Sequence, residues 1–392
     1  MNGRLLMLNY EFPPIGGGAG NAHLSLLKEY ASTADLRVDV LTSGPKPGFS
    51  VEQFSHNVTI YKVGLHKKNL HFWRRREVIE WLLRAKRPYR RLLRENGYDL
   101  VHAFFGFPTA YLCYRTANDL PYMISLRGSD VPGYNVRLGL DYKLTAGLFR
   151  KIWSGASMLV ANSAGLRKLA RKFMPNIEIE IIPNGIDTER FHPAKEQGVK
   201  EPIQLLTVGR LITRKRIDLL IRAVDCAGRL GLNVQLNIAG DGNLLAELRT
   251  LAEELAVADR VTFLQRVPPE EIAAVYRRNS IFVMCSAHEG MSNAMLEAMA
   301  SGLPIVTTPC EGVDELIGDN GIVVETAAPP KIAEAIRKLA TDEQRRRTMS
   351  QAAREKAKDF AWPSVADQYI RCYKNVLGGP TRAPGKKHSC AE

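Results

Sequence analysis

SAHEGMSNAMLEAMASGLPIV, residues 286–306, is the stretch on which the reading of this chain turns. It carries two glutamates, Glu289 and Glu297, in the spacing E-x7-E. Between them, Gly290-Met291-Ser292-Asn293 is a small polar turn of the kind that starts a helix. Ser292 or Asn293 suits the N-cap, because a short side-chain oxygen accepts from an N–H of the first turn. Residues 294–300 are strong helix formers, and Gly302-Leu303-Pro304 stops the run. Glu289 then sits in the loop before the helix, and Glu297 about one turn inside it. The unbonded N–H groups of such a start suit a phosphate.

Outward from this stretch, strand-like and helix-like segments alternate. Strands are expected at 5–9, 37–42, 58–63, 100–103, 122–126, 157–161 and 177–182. The pattern restarts with strands at 203–208, 234–239, 261–263, 281–285, 304–307 and 321–324. Helices are expected at 217–230, 244–255, 269–278 and 295–300, and again at 330–340, 342–359 and 363–376. Such alternation argues for two parallel α/β sheets in tandem, each clothed by helices. The division is 1–190, 191–361, a closing helix over 362–377 and a tail over 378–392. His192-Pro193-Ala194-Lys195-Glu196-Gln197-Gly198 reads as a surface linker, and the Gly-, Pro- and Lys-rich tail as disordered. Two open α/β sheets each offer a ligand crevice at the carboxyl ends of their strands.

Composition narrows the class. The chain has 392 residues, with 45% hydrophobic and 24% charged, ordinary values for a globular protein of two domains. No apolar run approaches the roughly 20 residues of a membrane span. Residues 5–8 are too short for a signal-peptide core and read as a buried strand. Six scattered cysteines form no C-x-x-C pair, which points away from a disulfide framework or zinc site and toward a cytoplasmic setting. The formal charge is +13. Much of it comes from Lys62, Lys67, Lys68, Arg74, Arg75, Arg76, Arg84, Lys86, Arg87, Arg90, Arg91 and Arg94, opposed only by Glu77 and Glu80 within that span. Arg84, Arg87, Arg91 and Arg94 share one helical face, while Pro88 is expected to kink or restart the helix. With Phe72, Trp73 and Trp81 nearby, the segment reads either as a solvated face or as a docking face for an anionic membrane. No nucleic-acid-binding motif accompanies the charge.

Other strand ends carry chemistry. Val208-Gly209-Arg210-Leu211-Ile212-Thr213-Arg214-Lys215 supplies a planar fork and a point charge, which suit a diphosphate. A solvated basic loop is the plainer alternative. Ile238-Ala239-Gly240-Asp241-Gly242 reads as a structural turn. The run Phe12-Pro13-Pro14-Ile15-Gly16-Gly17-Gly18-Ala19-Gly20-Asn21 allows backbone to approach a phosphate or sugar. It is not a dinucleotide fingerprint: G-x-G-x-x-G fails at Asn21 from Gly16 and at His23 from Gly18. In Ser125-Leu126-Arg127-Gly128-Ser129-Asp130, Arg127 stays protonated and cannot act as a base. It can donate to a phosphate or sugar hydroxyl, bind an acidic acceptor, or pair with Asp130. His102, at another strand end, is as well read as a core histidine as an active-site one.

Taken together, E-x7-E, the VGR…K loop, AGDG, the PPxxGGxG run and the Pro183-Asn184-Gly185-Ile186-Asp187 turn resemble family 4 of the retaining glycosyltransferases, across nearly the whole chain. The resemblance implies the GT-B fold, two Rossmann-like α/β/α domains facing a central cleft, with the acceptor on the first and a nucleotide sugar on the second. It implies Glu289, Arg210 and Lys215 as catalytic residues, and Arg127, which stands where many members have histidine, is expected to join them. It implies donor contacts from Gly17, Gly18, Arg210, Lys215, Val267, Glu289, Gly290, Met291, Ser292, Asn293 and Glu297. In that scheme Glu289 meets donor sugar hydroxyls, Glu297 the ribose, and the backbone near Val267 the base. That histidine lies near the reacting sugar, so the role of Arg127 there is open. Neither metal nor further cofactor is expected. The closing helix is expected to return to the first domain. The expected function is transfer of a hexose, most simply from a UDP-sugar, to a glycan or lipid-linked acceptor hydroxyl, with retention, at the inner face of a membrane. The alternatives are a nucleotide-sugar epimerase of the same fold and a transferase acting on a small soluble metabolite.

Overall fold

The computed structural model describes residues 3–33, 35–67, 69–70, 72–135, 138–194 and 201–378. Lys68, residues 195–198 of the expected linker and the tail over 379–392 lie outside them. The chain forms two compact units. Unit 1 holds the described residues up to Asn162, Leu166–Pro183 and those from Trp362 onward; unit 2 holds Ser163–Gly165 and Asn184–Ala361.

The elements run β1 (Gly3–Asn9), α1 (Gly18–Ala31), β2 (Leu36–Gly44), β3 (Gly48–Ser55), β4 (Val58–Gly64), α2 (Arg75–Glu95), β5 (Leu100–Phe104), α3 (Thr109–Tyr114) and β6 (Tyr122–Leu126). Then come α4 (Gly139–Gly155), β7 (Met158–Ala161), α5 (Ala164–Phe173) and β8 (Glu180–Ile181). The sheet order is β3-β4-β2-β1-β5-β6-β7-β8. Leu5, Leu6, Met7 and Leu8 on the central β1 are all fully buried, as expected of a strand covered on both faces.

Three expectations are corrected here. The sheet of unit 1 is not wholly parallel: β3 was not anticipated and pairs antiparallel with β4. Its residues are mostly exposed, Phe49 and Val51 included, so it shows no buried face for a hydrophobic pattern to report. The strand expected over 177–182 shrinks to two residues, Glu180–Ile181, at the sheet edge. Pro88 does not divide the basic helix, and α2 runs unbroken through 21 residues. An internal proline costs about 3 kcal/mol. Trp81, Ala85, Tyr89 and Leu92 lie buried on both sides of it, and their common face offsets that cost. Trp81 therefore belongs to the core and takes no part in any docking face.

Unit 2 runs β9 (Ile203–Val208), α6 (Ile217–Arg229), β10 (Val234–Ala239), α7 (Leu245–Glu254), β11 (Val261–Gln265), α8 (Pro269–Arg277) and β12 (Ile281–Met284). It continues with α9 (Asn293–Ala300), β13 (Ile305–Thr307), α10 (Val313–Leu316), β14 (Gly321–Val323), α11 (Pro329–Ala340) and α12 (Glu343–Lys358). All its strands are parallel, in the order β11-β10-β9-β12-β13-β14. The order reverses between β9 and β12. Chain leaving these two strands diverges to opposite sides, which opens a crevice at their carboxyl ends.

The last helix, α13 (Trp362–Gly378), belongs to unit 1 and packs on α1. A buried polar chain ties it down. Tyr30 and Tyr373 hydroxyls lie 3.0 Å apart, and Tyr373 reaches His102 Nδ1 at 2.8 Å. His102 Nε2 meets Ser125 Oγ at 2.8 Å, and Ser125 meets the Tyr369 hydroxyl at 3.2 Å. His102 is thus a satisfied core histidine. A neutral ring donates through one nitrogen and accepts through the other, and the two hydroxyl partners can serve both roles. Burial, with His23 and Arg127 adding, holds its pKa well below the usual value.

His23 is fully buried, and burial first, then the charge of Arg127, lowers its pKa to about 3. A base depressed on folding binds fewer protons folded than unfolded. Its contribution to stability is complete above about pH 6.5 and declines as pH falls toward the folded value. At about pH 5 this group alone withdraws roughly 2 kcal/mol, at about 1.4 kcal/mol per pH unit. Urea unfolding between about pH 7.5 and 5 should therefore show stability falling with pH, and less steeply for His23→Gln. Equal slopes would remove His23 as a cause.

Candidate functional site

The crevice of unit 2 brings the β9 and β12 loops together. Backbone bonds lace the neighbouring strand ends: Gly209 N–H donates to the Ala239 carbonyl at 2.9 Å, and Gly240 N–H to the Gln265 carbonyl at 2.7 Å. Gly240 has φ +144°, and a Cβ there would overlap the Gly209 carbonyl oxygen. Asp241 accepts from Leu211 N–H through its carbonyl, and its carboxylate caps the Gly242 N–H at 2.7 Å. The AGDG segment is thus a structural turn beneath the β9 loop.

Arg210 stands exposed at the end of β9. A short turn over Thr213–Lys215 folds Lys215 back so that its stem lies over Gly209. Its ammonium forms an ion pair with Glu289, and both side chains are largely buried. Arg214 carbonyl also accepts from Ala287 N–H at 2.8 Å, so the two loops are joined by backbone and by charge.

Beyond Glu289, Gly290, Met291 and Ser292 are buried. Ser292 is the N-cap of α9, its Oγ accepting from Met295 N–H at 3.3 Å, and Asn293 is the first helical residue. Asn293 Oδ1 accepts from the Asn184 side chain at 2.8 Å, and Met291 Sδ from Asn184 N–H. The first turn of α9 contains no acidic residue to compete for its N–H groups. Glu297 lies half-buried one turn in, beside the buried Tyr276. Burial pushes its carboxyl up to about 7, against the Tyr276 hydrogen bond and the charge of Arg190, which hold it lower. Val267 is half-buried after β11, in apolar contact with the core of unit 2.

In unit 1, Gly17 is the N-cap of α1 and Gly18 its first residue; both are exposed. Among the described residues, nothing occupies the place of a Cβ on Gly17. Arg127 follows β6, half-buried, with its guanidinium 4.9 Å over the Phe104 ring. The same ring stacks on His23 at 4.4 Å. Asp130 is buried, and its carboxylate accepts from the backbone N–H groups of Gly106, Arg127 and Gly128 at 2.7–2.9 Å. Asp130 thus shapes the turn that presents Arg127. The structure gathers Arg210, Lys215, Glu289 to Asn293 and Glu297 in unit 2, and holds Gly17, Gly18 and Arg127 in unit 1. Sequence reasoning passed over Tyr276, Asn184 as a partner of this loop, and Glu311, whose carboxylate reaches the Glu289 backbone. Only for Glu311 was there a sequence signal, a charged residue just past a strand end.

Residues 16–190 match the family model described as Glycosyltransferase Family 4, and residues 188–356 the one described as Glycosyl transferases group 1. The chain belongs to the family 4-like glycosyltransferases of GT-B fold. Among relatives of this glycosyltransferase is the D-inositol 3-phosphate glycosyltransferase of Corynebacterium urealyticum, 27% identical over 237 residues. That match spans 54% of each chain, about half the relative's length. The GDP-mannose-dependent alpha-(1-6)-phosphatidylinositol monomannoside mannosyltransferase of Mycolicibacterium smegmatis is 28% identical over 91% of this chain and 94% of its own. Sucrose-phosphate synthase from Thermosynechococcus elongatus superposes with a TM-score of 0.81, covering 96% of this chain and all of its own. At 21% identity, that likeness concerns the fold.

The Lys215–Glu289 pair carries its own test. Removing one partner of a buried pair strands the other charge, a cost of about 3 kcal/mol at the low end, whereas removing both relieves it. In the ligand-free enzyme Lys215→Met should lower stability more than Lys215→Met with Glu289→Gln. Additive losses in a urea-unfolding double-mutant cycle would show that the two charges do not depend on each other.

Proposed function

We propose that this glycosyltransferase moves a hexose from a nucleotide-diphosphate donor to an acceptor hydroxyl with retention, in the making of a cell-surface glycan or glycolipid. Unit 2 takes the donor and unit 1 the acceptor. The observation that carries the reading is the Lys215–Glu289 ion pair beside the start of α9. Without donor, each group neutralises the other. An arriving diphosphate offers Lys215 a stronger anion, and the Glu289 carboxylate becomes available to sugar hydroxyls. Arg210 and the N–H groups around Gly290 to Asn293 share the diphosphate charge. Glu297 accepts from the ribose, and the backbone near Val267 meets the base.

As the bond from the anomeric carbon to the phosphate oxygen breaks, Arg210 and Lys215 stabilise the charge left on that oxygen. The acceptor oxygen bonds to the same face of the anomeric carbon, and its proton passes to the leaving phosphate. Gly17 and Gly18 give room for close approach of a phosphate or sugar. Arg127 donates to the acceptor, and a guanidinium suits one that bears a phosphate. The two relatives, one named for inositol 3-phosphate and the other for phosphatidylinositol monomannoside, support such an acceptor. Uridine is the simplest expectation for the base, and the mannosyltransferase's GDP-mannose makes guanosine its rival.

The partner surface we assign to the acceptor's membrane is the outer side of α2. Arg76, Ile79, Leu83, Lys86, Arg87, Arg90 and Arg94 follow one another at helical spacing, all exposed, with Leu83 at 68%. Basic side chains with apolar ones between them suit an anionic lipid surface. Part of the basic segment is engaged internally: Lys67 pairs with Glu77, Arg84 with Glu80 and Arg91 with Glu95. No helix among the described residues is long and apolar enough to cross a membrane.

Thermal stabilisation by UDP and by GDP tests the donor site. One of them should raise Tm, and Arg210→Ala should weaken its binding about ten- to hundredfold, the worth of a hydrogen bond to a charged group. Affinity should rise as pH climbs through the Glu297 value of about 7, since an ionised carboxylate accepts from both ribose hydroxyls, and Glu297→Gln should flatten that rise. Arg127→Ala should leave diphosphate binding alone and lower kcat/KM for acceptor. A protein indifferent to both diphosphates would sink the donor assignment. Flotation with phosphatidylserine-containing vesicles tests α2: the triple change Arg87→Glu, Arg90→Glu, Arg94→Glu should abolish binding, and its persistence would move the contact elsewhere.

A further inference from the structure

The loop that presents Glu289 runs from the end of β12 to the start of α9 with no ladder of its own. Its backbone groups must be satisfied by neighbours. On one side Ala287 is bonded to Arg214. On the other stands the turn between β13 and α10. There the Glu311 carboxylate accepts from the Glu289 backbone N–H at 3.0 Å, and lies 3.3 Å from His288 Nδ1. The next residue, Gly312, has φ +84°. A Cβ on it would fall 2.8 Å from the Gly290 carbonyl oxygen and 3.2 Å from Met291 Cα. One turn therefore bears on four consecutive residues, His288 to Met291.

We propose that Glu311 is a positioning residue for sugar transfer, holding the Glu289 backbone so that the Glu289 carboxylate stays at the donor sugar once Lys215 has turned to the diphosphate. This rests on the reading of Glu289 as the group that meets the sugar. In the ligand-free enzyme Glu289 has two anchors, Lys215 on its side chain and Glu311 on its backbone. Donor binding claims the first, and only the second remains while the sugar reacts. Glu311 has no part in holding the diphosphate, which falls to Arg210, Lys215 and the start of α9. Its loss should separate the two halves of the donor.

The test compares Glu311→Ala, Glu311→Gln and Glu289→Gln in the full chain. Calorimetry gives affinities for UDP against UDP-glucose and GDP against GDP-mannose, and donor turnover gives kcat. Glu311→Ala should keep diphosphate affinity within about twofold, lose the gain that the sugar adds, and lower kcat about tenfold, the lower bound for a lost hydrogen bond to a charged group. Glu311→Gln should recover most of this, because its amide oxygen still accepts from Glu289 N–H. Should Glu311→Ala not fold, Glu311→Asp carries the test, since a carboxylate one methylene shorter withdraws from that N–H and predicts the same selective loss. Equal loss of diphosphate and sugar binding, unchanged kcat, or a glutamine variant no better than alanine would each overturn the proposal. If Glu289→Gln is impaired while Glu311→Ala is not, only the positioning role fails. If neither is impaired, the reading of Glu289 fails with it.

Discussion

A lysine and a glutamate that share one largely buried place, Lys215 and Glu289, set the terms for the second unit. Neither charge is tolerable there alone, because desolvation of an unpaired ion costs several kcal/mol. The strand order makes the pair possible. β9 and β12 are hydrogen-bonded neighbours, with Ile281 opposite Leu205, yet nearly eighty residues of chain separate their loops. Three glycine-dependent contacts then pack each loop on itself or on a neighbouring strand end: Lys215 over Gly209 within the β9 loop, Gly240 after β10 against Gly209, and Gly312 after β13 against Gly290. Under the proposed donor site, a group satisfied by its neighbour in the empty site and by substrate in the filled one leaves no bare charge in between.

Unit 1 solves a related problem with neutrality instead of pairing. Its strands β5 and β6 and helices α1 and α13 gather His23, His102, Ser125, Tyr369 and Tyr373 in a buried interior. Burial keeps both histidines uncharged, and the hydrogen-bond chain satisfies His102 fully. Arg127, at the edge of the same cluster, rests its guanidinium over the Phe104 ring. A cation at that edge reinforces the neutrality of His23, so one arginine influences both the core and the surface that would meet an acceptor.

Much of this was legible beforehand. Strands such as β6, β9 and β10 lie where the apolar runs put them, because a parallel strand buried on both faces cannot hide its composition. The N-cap at Ser292 was legible for the same kind of local reason, since a cap forms within four residues. What escaped was whatever depends on pairing or packing that a local pattern does not report. β3 is exposed and gains its order from β4, so its own residues announce little. The continuity of α2 through Pro88 rests on a buried face that includes Trp81 and Tyr89, which compensates for a local defect that the sequence displays plainly.

The sequence by itself determined two α/β units, the glycine loops and the two glutamates of E-x7-E, because these follow from periodicity, backbone freedom and residue chemistry over short spans. Only the tertiary structure decided which group faces which: that Lys215 spends its charge on Glu289, that Glu311 holds the Glu289 backbone, and that Asp130 binds backbone amides around Arg127. Those are contacts across tens of residues in unit 2 and across a folded turn in unit 1. A carboxylate or an ammonium will accept many partners of suitable charge and reach. Strand order and register choose among them.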